Sequence, residues 1–190
     1  AEYGFSDRQI RKYTYNLAPF LVDKEAIQQG YVTSEPHTIE TRGGFKPQVF
    51  LLSDFGYPSY AAMVLARTDW IENRSEHVQA FVNATIEGWR SYVYGDPAPG
   101  NRLILATNPD MTPEIIEQAI EQMRRRAMLQ SSDTEAHGIG TMTDERWQKF
   151  FDIMSAHGVY APALDWRQAF TTRFVNQAQA PQPATPRANR

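Results

Sequence analysis

The sequence predicts an α/β fold, partial in extent: a parallel-rich sheet in the first third of the chain, followed by several helices. Three observations carry this expectation. Segments rich in β-formers alternate with helical segments over the first 66 residues, the pattern of βα units that build parallel sheets. From Thr68 onward the apolar spacing switches to a helical period. About four strands are too few for a sheet that needs cover on both faces, so the chain reads as the back end of a larger α/β protein.

In chain order, Ile10 to Asn16 alternates and reads as a strand. Ala18 to Gln28 reads as a helix, with Pro19 near its start and no breaker afterwards. Gly30 to Glu35 reads as a second strand. Pro36 then removes a ladder donor, and a short helix near His37 to Thr41 runs into a Gly43-Gly44 turn. Phe50 to Ser53 and Tyr60 to Ala66 read as two more strands, separated by the turn-rich loop SDFGYPS.

A long helix starts at Ser75, with Val78, Phe81, Val82, Thr85, Trp89, Tyr92 and Val93 on one apolar stripe and Gly95 as its stop. Thr112-Pro113-Glu114 starts another by the cap, proline and acidic-first-turn rules, with Ile116, Ile120, Met123 and Ala127 facing inward. Thr143-Asp144-Glu145 starts a third, with Trp147, Phe150, Phe151 and Met154 on its buried side and Gly158 at its end. Residues 177–190, rich in Pro, Ala and Gln, read as a disordered tail.

Composition removes several function classes. The 190 residues carry 19 basic and 22 acidic side chains, a formal charge of -3, which leaves no basic field to attract nucleic acid or anionic membrane. Mean hydropathy is -0.53, and no apolar run reaches the roughly 18 residues of a membrane span. The absence of cysteine excludes disulfides, thiolate metal sites and cysteine nucleophiles.

Catalytic motifs are equally thin. His37, His77, His137 and His157 occur in no spacing that brings two imidazoles to one metal, so no metal site is expected. There is no nucleophile elbow and no phosphate-binding loop, and Gly138-Ile139-Gly140 reads as a turn. Arg124-Arg125-Arg126 reads as a solvated helix face, with Glu121 and Arg125 forming an i,i+4 pair.

The informative residues lie at strand ends. On an extended strand Tyr31, Thr33 and Glu35 share a face, and Glu35 ends that strand where α/β sheets open their crevice. A carboxylate there can accept hydrogen bonds from an amino-substituted ring on which a tyrosine stacks. Asp54, Phe55 and Tyr57 follow the next strand and would form a second wall. Each also has a purely structural reading: Tyr31 packed under a helix, Glu35 capping the next helix, Asp54 bonding its own turn.

These residues carry a family likeness. The stretches NLAPFLVDKEAIQQGYVTSEP, GGFKPQVFLLSDFGYP, EGWRSYVYGDPAPGNRLI and GIGTMTDERWQKFFDIM resemble the C-terminal portion of the solute-binding proteins of ABC importers. The subgroup they resemble is the thiamine pyrimidine-precursor-binding one, within the type II periplasmic binding proteins. The resemblance implies a two-lobed α/β receptor that closes over a small heterocyclic ligand in its cleft, with Tyr31, Glu35, Asp54, Phe55 and Tyr57 as ligand-binding residues. It implies no catalysis, no cofactor, an extracytoplasmic location, and an importer permease as partner, through which alone the protein meets the membrane.

It also implies that residues 1–48 are the rear of the second lobe with the crossover, and that 49–176 return into the first lobe. The first lobe's opening half is absent from the resemblance, which leaves half a pocket.

Two other readings stand beside this one. A cytosolic pyrimidine synthase of the same fold uses pyridoxal phosphate and a cysteine-rich motif; this chain has no cysteine, and no lysine beside the candidate pocket. A non-catalytic interaction module would instead use the helical half and the proline-rich tail, in which PQPATPR is the best docking motif.

Overall fold

Helices supply all the regular structure in the computed structural model, which describes residues 4, 6–14 and 16–176. Among these residues eight α-helices and three short 3-10 turns follow one another, and no strand forms. The α/β class, and with it the parallel-rich sheet of a partial type II periplasmic-binding-protein-like fold, is therefore corrected to all-α. The tail expected at 177–190 lies outside the described residues, as does Tyr15 within the first expected strand.

The four expected strands fail for local reasons. Residues 10–14 follow a 3-10 turn at Asp7–Gln9 and find no neighbouring strand. In place of a strand at 30–35 the chain turns: Ser34 and Glu35 donate their N–H groups to the Tyr31 carbonyl at 2.9 and 3.2 Å. Gly30 permits the turn, because a Cβ there would lie 2.8 Å from Glu35 Cβ. At 50–53 the chain winds into a 3-10 turn, Leu52–Phe55, which Gly56 closes at φ 86°. Tyr60 to Ala66 is irregular, without a ladder partner, and an isolated β-forming segment does not hold itself in a strand.

The first helix, α1 (Ala18–Val22), stops well short of Gln28, because Asp23 leaves helical geometry and accepts the Glu25 N–H in a turn of its own. The short helix after Pro36 does form. It is α2 (Glu35–Gly43), which Gly44 ends at φ 71° and which buries Ile39. Among the described residues before Ala66, Ile39 is the one that is fully buried.

From α3 (Thr68–Asn73) the helical reading holds. The core runs along α4 (Ser75–Tyr94), where Val78, Val82 and Ile86 pack with Phe174, and Ala66, Ile71, Ile139 and Val175 surround them. The expected aromatic stripe is only half covered: Phe81 is 62% and Trp89 44% exposed. One ridge at i, i+4, i+8 is all that this narrow core can shield, and the ridge beside it stays wet.

After α5 (Ala98–Thr107), the well-capped α6 (Pro113–Arg125) buries Ile116 and Ile120 against α4 and α5. The Thr112 hydroxyl accepts the Ile115 N–H at its start. Met123 is half-buried, and Ala127 lies past the helix end at φ 49°.

The Arg124–Arg126 cluster is not a plain solvated face. Arg124 Nε donates to the Val93 carbonyl and ties α6 to the end of α4. Arg125 and Arg126 both donate to Gln122 Oε1, so Arg125 pairs with Gln122 and not with Glu121.

Two helices complete the fold, α7 (Ser132–His137) and α8 (Asp144–Ala156). Residues 170–176 then return over the core: Gln79 donates to the Phe174 carbonyl at 3.0 Å, and the Asn176 amide bonds both the N–H and the carbonyl of Met142. Among the described residues no helix is long and apolar enough to cross a membrane.

Candidate binding site

Helix α8 begins at the Thr143 cap, whose hydroxyl accepts the Arg146 N–H. That start places Arg146 and Trp147 on the first turn, facing the chain segment after Tyr57. Arg146 fastens the segment, with Nε donating to the Pro58 carbonyl at 2.7 Å and Nη2 to the Ser59 carbonyl at 3.0 Å. Its guanidinium also lies 4.2 Å from the centre of the Tyr60 ring, and the Tyr60 hydroxyl accepts the Thr143 N–H at 2.9 Å.

Between the segment and the helix is a cavity of about 70 Å³. Pro58, Ser59, Tyr60 and Met63 form one wall, and Arg146, Trp147 and Phe150 the other. Trp147 is held from behind by a stack of rings, on Phe170 at 4.7 Å and through it on Trp166 at 6.0 Å. Tyr57 meets Phe150 edge-on at 5.6 Å. The Trp147 indole nitrogen is shielded from solvent and donates to nothing.

A second cluster surrounds Glu35 at the start of α2. One carboxylate oxygen accepts the Tyr31 N–H and the other the Tyr13 hydroxyl, each at 2.7 Å. A carboxylate at the first helical position also complements the helix dipole. Glu35 does not cap the helix it opens: no side chain accepts an N–H at the start of α2, and its carboxylate ties the turn before the helix instead. A bound ring amino group would have to replace one of these two donors.

The residues named from sequence lie as follows. The Tyr31 ring is 68% exposed, next in chain to the turn that presents Glu35. They meet through a turn and a helix start and not as alternate residues of a strand. Asp54 and Phe55 lie in the Leu52–Phe55 turn, with Asp54 exposed and the Phe55 ring 72% exposed against Phe50 at 6.2 Å. Tyr57 alone of the five reaches the aromatic cavity wall, through Phe150. Among the described residues no hydrogen bond or ring contact joins Tyr31 or Glu35 to the 54–57 turn.

Sequence reasoning did not single out Arg146, Tyr60 and Trp147 as a site. The signal was there in Arg146: its helical neighbours are Met142, Thr143, Lys149 and Phe150, so its charge has no acidic partner one turn away.

Among the described residues no group of three or more His, Asp or Glu side chains comes together to hold a metal. Burial pushes the Tyr92 phenol above its ordinary range. Burial pushes Tyr94 up as well, partly opposed by the positive charge of Arg124, and its hydroxyl has no partner. The Glu114 carboxyl is held below its ordinary value by its own backbone N–H and by the Thr112 hydroxyl.

No curated protein and no solved structure matches the chain. The model of the NMT1/THI5-like family matches residues 2–99, just over half of the chain. That span contains Tyr31, Glu35, Asp54, Phe55 and Tyr57, while α8 lies beyond it. With the match covering that much of its length, and with the sequence stretches around Glu35 and the 54–57 turn inside it, the chain belongs to the NMT1/THI5-like family.

Proposed function

We propose that this chain is the ligand-binding part of the solute-binding component of an ABC importer, and that its solute is a small heterocycle of the thiamine pyrimidine-precursor kind. The observation that carries the reading is the family match over the span holding all five candidate residues. The chemistry of Glu35 supports it. Its two oxygens already hold two donors at 2.7 Å, and an amino-substituted ring offers donors of the same kind. The exposed Tyr31 ring beside it is free to stack on such a ligand.

In this reading no bond is made or broken. Ligand binds the closed arrangement more tightly than the open one, shifts the hinge equilibrium by that difference, and the permease reads the closed shape. The protein works outside the cytoplasm and meets the membrane through the permease.

The test is calorimetric titration of the whole protein with an aminopyrimidine. Glu35→Ala is expected to weaken binding tenfold or more, because a hydrogen bond to a charged group contributes about 1.5 to 3 kcal/mol. Unchanged affinity removes Glu35 from the site. The family holds synthases as well as binding proteins, so the same sample is scanned for visible absorbance after addition of pyridoxal phosphate. A lysine aldimine band would replace the receptor reading with an enzymatic one.

A further inference from the structure

We propose that Tyr13 is a specificity-determining residue of the Glu35 site: its phenol donates to a ring nitrogen that lies beside the amino group accepted by Glu35, so the site selects rings in which those two groups are neighbours. The inference rests on the heterocycle reading above and starts from a difference between the two donors on the Glu35 carboxylate.

Oε2 accepts the Tyr31 backbone N–H at 2.7 Å. That N–H belongs to the turn in which the Tyr31 carbonyl takes the Ser34 and Glu35 N–H groups, a turn so close that a Cβ on Gly30 would lie 2.8 Å from Glu35 Cβ. A ligand could take this place only by undoing the turn. Oε1 accepts the Tyr13 hydroxyl, also at 2.7 Å, from a residue 22 positions earlier in the chain. A phenolic O–H turns about its own C–O bond without moving the backbone, and it donates to whatever acceptor lies within reach. Oε1 is therefore the oxygen that can exchange its partner.

The exchange decides which ligand edge fits. When an amino group takes Oε1, the Tyr13 O–H gives up the carboxylate, and a donor deprived of a charged acceptor costs stability unless the ligand returns one. A ring nitrogen beside the amino group returns it. Two parallel hydrogen bonds then form, from the amino N–H to Oε1 and from the phenol to the ring nitrogen. Adenine presents the same pair of groups, a ring nitrogen next to an amino group, and is read by side chains that offer one donor and one acceptor. The Glu35 carboxylate by itself offers only acceptors, so without Tyr13 it has nothing to give an unprotonated ring nitrogen.

The two tyrosines divide the work. Tyr13 is half-buried with its hydroxyl on the carboxylate, which suits it to the ligand's edge, while the exposed Tyr31 ring suits the ligand's face. Both lie within the family-matched residues 2–99.

The experiment is calorimetric titration of the whole protein with 4-aminopyrimidine and with aniline, which keeps the amino group and lacks the ring nitrogen. The unaltered protein is expected to bind 4-aminopyrimidine at least tenfold more tightly than aniline, because a site built around a hydrogen bond rejects the analogue that lacks the partner. In Tyr13→Phe that preference is expected to vanish: 4-aminopyrimidine weakens about tenfold, while aniline is unchanged or slightly tighter, since no phenol competes for Oε1. A Tyr13 that served only to hold the fold would weaken both probes by the same factor and keep their ratio.

A preference that survives in Tyr13→Phe overturns the proposal and leaves the heterocycle reading standing. If Tyr13→Phe fails to fold, the unaltered protein decides alone, and equal affinity for the two probes overturns the proposal. Absence of 4-aminopyrimidine binding to the unaltered protein removes the heterocycle reading and this inference with it.

Discussion

Replacing Ile116 by alanine tests where the stability of this fold resides. Ile116 is 1% exposed on α6, at the place where α6 packs on α4 and α5. The substitution removes three buried carbons, worth about 0.8 kcal/mol each in transfer, or roughly 2.4 kcal/mol. The space left behind adds about 1 kcal/mol if a cavity of about 50 Å³ survives relaxation, at roughly 24 cal/mol per Å³. The expected loss is therefore about 3.5 kcal/mol.

Urea denaturation followed by tryptophan fluorescence measures it. With a slope of about 2 kcal/mol/M, typical for a chain of this size, the midpoint should fall by about 1.5 to 2 M. Leu103→Ala is the control: Leu103 is 68% exposed on the neighbouring α5 and should cost less than about 0.5 kcal/mol. A loss under about 1 kcal/mol at Ile116, or an equal loss at Leu103, would refute this placement of the core.

The remaining predictions concern polar groups. Tyr94→Phe removes a buried hydroxyl that has no partner, and is expected to raise stability by up to about 1 kcal/mol in the same urea assay. The Tyr94 phenol is raised above 10 in the folded protein, so its contribution is present below pH 10 and lost as pH rises through the folded value; the Phe variant should show a shallower alkaline loss. Glu114 runs the other way. Its carboxyl is held below 4.5, so its contribution is present above that pH and lost as pH falls, and Glu114→Gln should lessen the acid sensitivity of helical ellipticity below pH 4.5. Glu35→Ala should also expose the Tyr31–Ser34 turn, read as faster hydrogen exchange at the Tyr31 amide, whose acceptor it removes.

The helices of the second half were legible because their signals are local. Thr112-Pro113-Glu114 and Thr143-Asp144-Glu145 announce α6 and α8, and both threonine hydroxyls do accept a backbone N–H at those starts. α5 was missed because Pro97, Pro99 and Gly100 look like a break, although prolines are harmless in a helix's first turn and Gly100 sits where the Tyr92 ring leaves no room for a Cβ. α7, six residues closed by a Ser131–Thr134 capping pair, is too short to show a period. The residues around the cavity were legible only in part. Glu35 was named for its position beside Pro36, and Tyr57 for its turn, but Arg146 and Trp147 come from a helix some ninety residues further along the chain, where Trp147 was read as a core aromatic and Arg146 was given no role.

What the sequence by itself determined is the three long helices α4, α6 and α8, with their starts and the inward ridge of Val78 and Val82 on α4 and of Ile116 and Ile120 on α6, together with membership of the family. Only the tertiary structure decided that β-rich segments such as Tyr60 to Ala66 stay unpaired, that Arg124 spans to the Val93 carbonyl, and that Arg146 holds Pro58 and Ser59 beside an aromatic cavity. The physical reason is the range of the interactions. A helix satisfies its backbone within four residues, whereas a strand, or a guanidinium donating to distant carbonyls, depends on partners that adjacent residues do not specify.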